Sequence, residues 1–152
     1  MAKAVSEEKL VIIDASNLIL GRLASVAAKH LLSGKSVVVI NAEKAVITGE
    51  KGSILKETHV RLEIRNLGSK TKSPKHPRRP DGLIRRTVRG MLPRDKPRGK
   101  DAFSRLKVYI GVPREIDVAR AVKPKEAENK SLIRLMTVGE MAQSIGWKPV
   151  EA

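Results

Sequence analysis

Fifteen lysines and arginines crowd residues 65–107 against three acidic residues, Asp81, Asp95 and Asp101, giving this stretch a net charge of +12. The other 109 residues carry only +3. Cations at this density repel one another unless a polyanion neutralises them, so a merely solvated charged face is the weaker explanation. The chemistry open to such side chains is charge-assisted hydrogen bonding. A guanidinium presents a planar fork that grips two phosphate oxygens at once, whereas an ammonium acts as a point charge. Lys75, Arg78, Arg79, Arg85, Arg86, Arg89, Arg94, Lys96, Arg98, Lys100 and Arg105 are therefore candidate binding residues.

Other patterns with chemical potential carry less. Gly34-Lys35-Ser36 imitates the end of a phosphate-binding loop, but the position that needs the first glycine holds Lys29, and the triplet closes a helix instead of opening one. Asp14 ends an apolar run, the place where open α/β sheets put ligand sites. No second acid, histidine or nucleophile shares a motif with it, and a turn aspartate commonly accepts backbone N–H groups. His30, His59 and His76 have no metal-ligand spacing, and without cysteine neither disulfides nor thiolate zinc sites are available. Phe103, Tyr109 and Trp147 are the only aromatics and sit in or beside expected elements, as core residues do. Base-stacking platforms need more rings, so a nucleic acid would be recognised through its backbone and shape. No catalytic residue, cofactor or metal is expected.

A chain of 152 residues, 41% hydrophobic and 31% charged, can bury one domain-sized core with appendages. Its net charge of +15 makes nucleic acid the leading partner. No apolar run approaches the ~20 residues that span a bilayer, and residues 1–9 lack the apolar centre of a secretory signal, so cytoplasm is the default and no membrane partner is expected.

The elements that must position the basic residues follow from hydrophobic spacing. Residues 9–14 hold the continuous apolar run Leu10-Val11-Ile12-Ile13, which suits a strand covered on both faces. A turn at Ala15-Ser16-Asn17 leads to a helix over 20–33, with Leu23, Val26, Ala27 and Leu31 on one face and Gly34 as a left-handed cap. Val37-Val38-Val39-Ile40 is a second strand, completing a βαβ unit. Residues 54–67 read ambiguously and favour a helix. In the basic stretch five prolines predict much loop, with one short helix over 83–92, capped by Asp81 and stopped by Pro93. Ile84, Val88 and Met91 would face the core, and Arg85, Arg86 and Arg89 would face outward. A short helix over 101–106 leads to a strand over 107–110, which Gly111-Val112-Pro113 ends. A strand over 132–136 and a helix over 138–145, opened by the capping box Thr137 to Glu140, complete the chain.

Ile13-Asp14-Ala15 with Leu20-Gly21-Arg22-Leu23-Ala24-Ser25, then Val39-Ile40-Asn41-Ala42-Glu43 and Thr48-Gly49, resemble successive stretches of the L-thirteen family of large-subunit ribosomal proteins. The most specific similarity is Arg85-Arg86-Thr87-Val88-Arg89-Gly90-Met91-Leu92-Pro93, continuing through Arg98-Gly99 to Arg105-Leu106-Lys107-Val108-Tyr109. With Pro77-Arg78-Arg79-Pro80 upstream, this form resembles the archaeal and eukaryotic cytoplasmic branch. The resemblance covers most of residues 10–113.

It implies a single α/β domain, three-layered α/β/α, with a small, mainly parallel central sheet, basic loop extensions and a C-terminal helical appendage over 114–152. It also implies a structural role in the large subunit, with ribosomal RNA and neighbouring proteins as partners, support of subunit assembly, no DNA and one copy per ribosome. Gly21 and Arg22 would open the first helix beside the RNA, and Gly21 would serve backbone geometry or close approach there. A free regulatory RNA-binding protein and an α/β enzyme are the competing readings; the enzyme would need a cluster of perturbed titratable groups that the sequence does not show.

Overall fold

The computed structural model of the chain describes residues 10–69, 71–130 and 134–149. Lys9, and residues 132 and 133 of the strand expected over 132–136, lie outside them. The βαβ unit forms as the spacing predicts: β1 (Leu10–Asp14), α1 (Leu20–Leu32) and β2 (Ser36–Ile40). Leu23, Ala24, Ala27, Ala28 and Leu31 make the buried stripe of α1. Gly34 closes the helix at φ +88°; its N–H donates to the Leu31 carbonyl and that of Lys35 to the His30 carbonyl, both at 3.1 Å. This paired closure requires the left-handed backbone that glycine adopts without strain.

β1 and β2 pair in parallel along their full length, from Leu10 opposite Ser36 to Asp14 opposite Ile40. β4 (Leu106–Val108) flanks β2 and β5 (Ala121–Val122) flanks β1, giving a parallel sheet in the order β4-β2-β1-β5. Alternation divides the apolar runs. Ile13, Val37 and Val39 face the main core with residues of α1, α3 (Pro80–Gly90) and α4 (Pro97–Ser104). Ile12, Val38 and Ile40 face the other way, against Tyr109, Ile116 and Ala121. A strand covered on both faces has no polar alternation, which is why these runs are continuous. The fold is α/β with a parallel central sheet, as expected.

A second, antiparallel sheet joins the strand expected over 132–136, found at 135–137, to one that had no sequence signal. It pairs β3 (Val46–Thr48) with β6 (Leu135–Thr137). α2 (Lys51–Glu63) is the helix favoured within 54–67, starting three residues earlier. α5 (Val138–Ser144) begins with Thr137 accepting from the Glu140 N–H at 3.0 Å. The reciprocal half of the capping box is absent: Glu140 pairs with Lys51 at 3.1 Å. The C-terminal extension ends in the expected helix and is built into the body, since β5 completes the main sheet and Ala127 and Val138 lie in the main core.

Asp14 stands where β1 ends, beside β5. Its Oδ1 accepts from the Ser16 N–H at 3.1 Å, the Ser16 hydroxyl at 2.7 Å and Asn41 Nδ2 at 2.9 Å, and Lys123 Nζ lies 3.2 Å from Oδ2. Both carboxylate oxygens are therefore engaged by the protein itself. Burial acts to raise the Asp14 pKa, but the bonds from Asn41, Ser16 and Lys123 outweigh it and hold the carboxyl at about 2. A carboxyl depressed in the folded state stabilises above its unfolded pKa and ceases to do so as pH falls through the folded value. Wild type should exceed Asp14→Asn in stability by about 2 kcal/mol near neutrality. In urea titrations that margin should shrink between about pH 4 and pH 2; a margin independent of pH would contradict this role for the charge.

Candidate nucleic-acid interface

The basic stretch is less loop-like than its prolines suggest, because two of them open helices. α3 begins at Pro80, with Arg79 as N-cap, so Asp81 lies in the first turn and is not the cap. Proline suits the first helical position, where its missing N–H has no partner to lose. Asp81 still favours the helix start and pairs with Arg79 Nε at 3.2 Å. Ile84 and Val88 are fully buried, but Met91 is 43% exposed and Leu92 takes its place in the core. The helix ends at Gly90, so positions beyond it no longer follow the helical rotation that would align Met91 with Val88. α4 likewise starts at Pro97, four residues before the expected helix, and β4 starts one residue early.

The candidate residues divide by what they touch. Lys75, Arg85, Arg86 and Arg89 line one surface recess of about 200 Å³ with Pro77, Gly82 and Phe103. Arg85 lies 5.2 Å over the Phe103 ring, and Arg86 donates to the Lys75 carbonyl at 3.1 Å. Arg89 is half-buried and forms no hydrogen bond or ion pair among the described residues. A second group is fastened to helix ends. Arg98 donates to the Leu32 carbonyl at 3.2 Å and Arg105 to the Leu31 carbonyl at 2.8 Å, both in the last turn of α1. Arg78 donates to the Ile145 carbonyl at 3.2 Å, at the C-cap of α5. Helix C-termini leave carbonyls without helical partners and carry partial negative charge, so cations there are favourable.

Arg94, Lys96 and Lys100 are exposed and unpaired among the described residues. Arg22 lies in a different recess, of about 440 Å³, with Ile19, Thr48, Asn129 and Lys130. Lys130 had no sequence signal, because only the fold brings it near α1. Arg61 was also missed: it lies outside the dense charge run, yet it borders the same groove as Arg86. His76 borders that groove too; its pKa is lowered by burial and further by Arg86 and Arg61. Among the described residues no three His, Cys, Asp or Glu side chains gather as metal ligands.

Two glycines position this surface differently. A Cβ on Gly99 would lie 2.0 Å from the Pro93 carbonyl oxygen, so α4 can rest on the preceding loop only without a side chain there. Gly21 has helical backbone and nothing within 4 Å of an added Cβ, which removes the backbone half of its expected role and leaves close approach by a partner. Gly99→Ala should destabilise by about 1–3 kcal/mol. Gly21→Ala should stabilise by up to about 1 kcal/mol. Paired thermal melts check both, and equal melting temperatures for the two variants would refute the assignment.

Residues 8–115 match the model of the family described as Ribosomal protein L13. Among similar proteins, the large ribosomal subunit protein uL13 of Methanococcoides burtonii is 48% identical over 141 residues, covering 91% of this chain and 99% of its own length. Its counterpart from Methanopyrus kandleri is 43% identical over 152 residues, covering 97% and 93%. That of Methanosarcina barkeri is 46% identical over 142 residues, covering 91% and 99%. With most of its length matched on both measures, and its βαβ unit and basic helices inside the matched region, the chain belongs to the ribosomal protein L13 family.

Proposed function

We propose that this protein is a structural constituent of the large ribosomal subunit in the cytoplasm. It binds ribosomal RNA mainly through phosphates, supports subunit assembly, and catalyses nothing. The observation that carries the reading is the recess of Lys75, Arg85, Arg86 and Arg89, set in a +12 stretch whose Arg78, Arg98 and Arg105 are tied to carbonyls of the body. Cations held in place lose little further entropy on meeting a phosphate, and an anchored guanidinium keeps other N–H donors for it. Arg94, Lys96 and Lys100 extend the face as free point contacts, Arg79 borders it beside Asp81, and Arg22 with Lys130 forms a separate contact. The relatives are named as large ribosomal subunit proteins, which supports ribosomal RNA and neighbouring large-subunit proteins as the partners.

Salt titration of RNA binding tests the mechanism. If six or more phosphates are engaged, log Kd should rise steeply with log salt, by about 0.7–0.9 per phosphate. Arg89→Ala and Arg94→Ala should each weaken binding and reduce the slope by about one phosphate, and Arg94→Ala should leave stability within about 0.5 kcal/mol. A shallow slope in the wild type would overturn the phosphate reading. Release of the protein from purified large subunits by a high-salt wash would overturn the constitutive one.

A further inference from the structure

α2 stands away from the body. It has no buried residue, and beneath it runs a groove of about 710 Å³ with an apolar floor that includes Leu20, Ile54, Leu62, Leu83, Met141 and Ile145. Past Leu62 and His76 the groove continues into a second recess of about 560 Å³, lined in part by Ile64, Leu67 and Pro74. Ile64 is 54% and Leu67 101% exposed, so the apolar lining of the second recess is open to water, whereas Met141 and Ile145 of the first are buried. Arg61 and Arg86 border the first part, and Arg65, Lys75 and Arg78 the second. Glu57 is the one acidic residue lining either part among the described residues, and it is paired with Arg61. Within the groove wall, His76 Nε2 is buried without a hydrogen-bond partner.

An apolar floor between rows of cations fits an occupant that is apolar or planar at its centre and anionic at its edges. We propose that the groove receives an unpaired nucleotide of RNA, its base lying on the apolar floor beside His76 and its flanking phosphates held by Arg61 and Arg86. The inference rests on the phosphate reading above, because Lys75 and Arg86 line both this groove and the recess with Arg85 and Arg89. One RNA can therefore cross from one to the other without a gap in the charge. A peptide with an acidic rim is the competing occupant, but the shared cations make the groove a continuation of the RNA face. The scarcity of aromatics is no obstacle. Guanidinium planes stack on bases as rings do, and either edge of a base can satisfy the orphaned imidazole nitrogen.

The test compares the full chain on three short RNAs: a perfect duplex, the same duplex with one bulged adenosine, and the same with an abasic bulge. Wild type should bind the adenosine bulge about ten-fold more tightly than the duplex, and the abasic bulge no better than the duplex. Leu62→Gln and His76→Ala should reduce that ratio toward one while leaving duplex affinity unchanged. A wild-type ratio of one, with normal duplex binding, would overturn the groove and leave the phosphate reading intact. Failure to bind any of the three would remove both. A photo-crosslinking side chain at position 62, in assembled large subunits, should label RNA; labelling a protein alone would overturn the proposal in favour of the peptide occupant.

Discussion

A stretch with a net charge of +12 repels itself and has to be held against a body that is nearly neutral. The partial negative charge at helix C-termini supplies the counterweight. Arg98 and Arg105 donate to the last-turn carbonyls of α1, and Arg78 donates to the C-cap carbonyl of α5. Hydrophobic docking acts alongside these bonds, with Ile84, Val88 and Leu92 in the main core and Ala102 of α4 behind them. The basic stretch is thereby folded in two helices across the end of the βαβ unit.

Anchoring some cations positions others. Each arginine tied to a carbonyl orders the backbone beside it, so that Lys75, Arg85, Arg86 and Arg89 share one recess where a flexible loop would scatter them. Arg85 is steadied by the Phe103 ring and Arg86 by the Lys75 carbonyl, contacts that orient a guanidinium without neutralising it. The contrast with Asp14 is instructive. That carboxylate sits at the sheet position where α/β enzymes work, yet four contacts from Ser16, Asn41 and Lys123 occupy it, and it serves as a brace between β1, β2 and β5.

Three departures from local sequence rules have identifiable causes. Asp81 is the best capping residue type near the start of α3, but Pro80 occupies the first helical position and leaves Arg79 as the cap. Met91 was placed on the buried face by extending the helical period one residue beyond the true end at Gly90. The capping box at Thr137 is half realised because Glu140 finds Lys51 of another element. A neighbouring proline, the end of the helix and a lysine of another element respectively override the period or motif.

The sequence by itself determined the βαβ unit and the helical end of the chain, because each rests on local signals: continuous apolar runs, a 3.6-residue stripe, glycine at a left-handed cap and a capping threonine; the family and its mainly parallel sheet followed from the resemblance of its motifs. It also located the dense positive charge, since charge density is additive along a chain. Tertiary structure alone decided which cations are anchored and which are free, because the carbonyls of Leu31, Leu32 and Ile145 lie 66 to 74 residues from the arginines that reach them. It alone paired β3 with β6 and β1 with β5, because strands of two or three residues carry too few side chains to show a period. The groove under α2 was equally invisible in the sequence, since its walls come from both ends of the chain and a cavity is a property of what fails to pack.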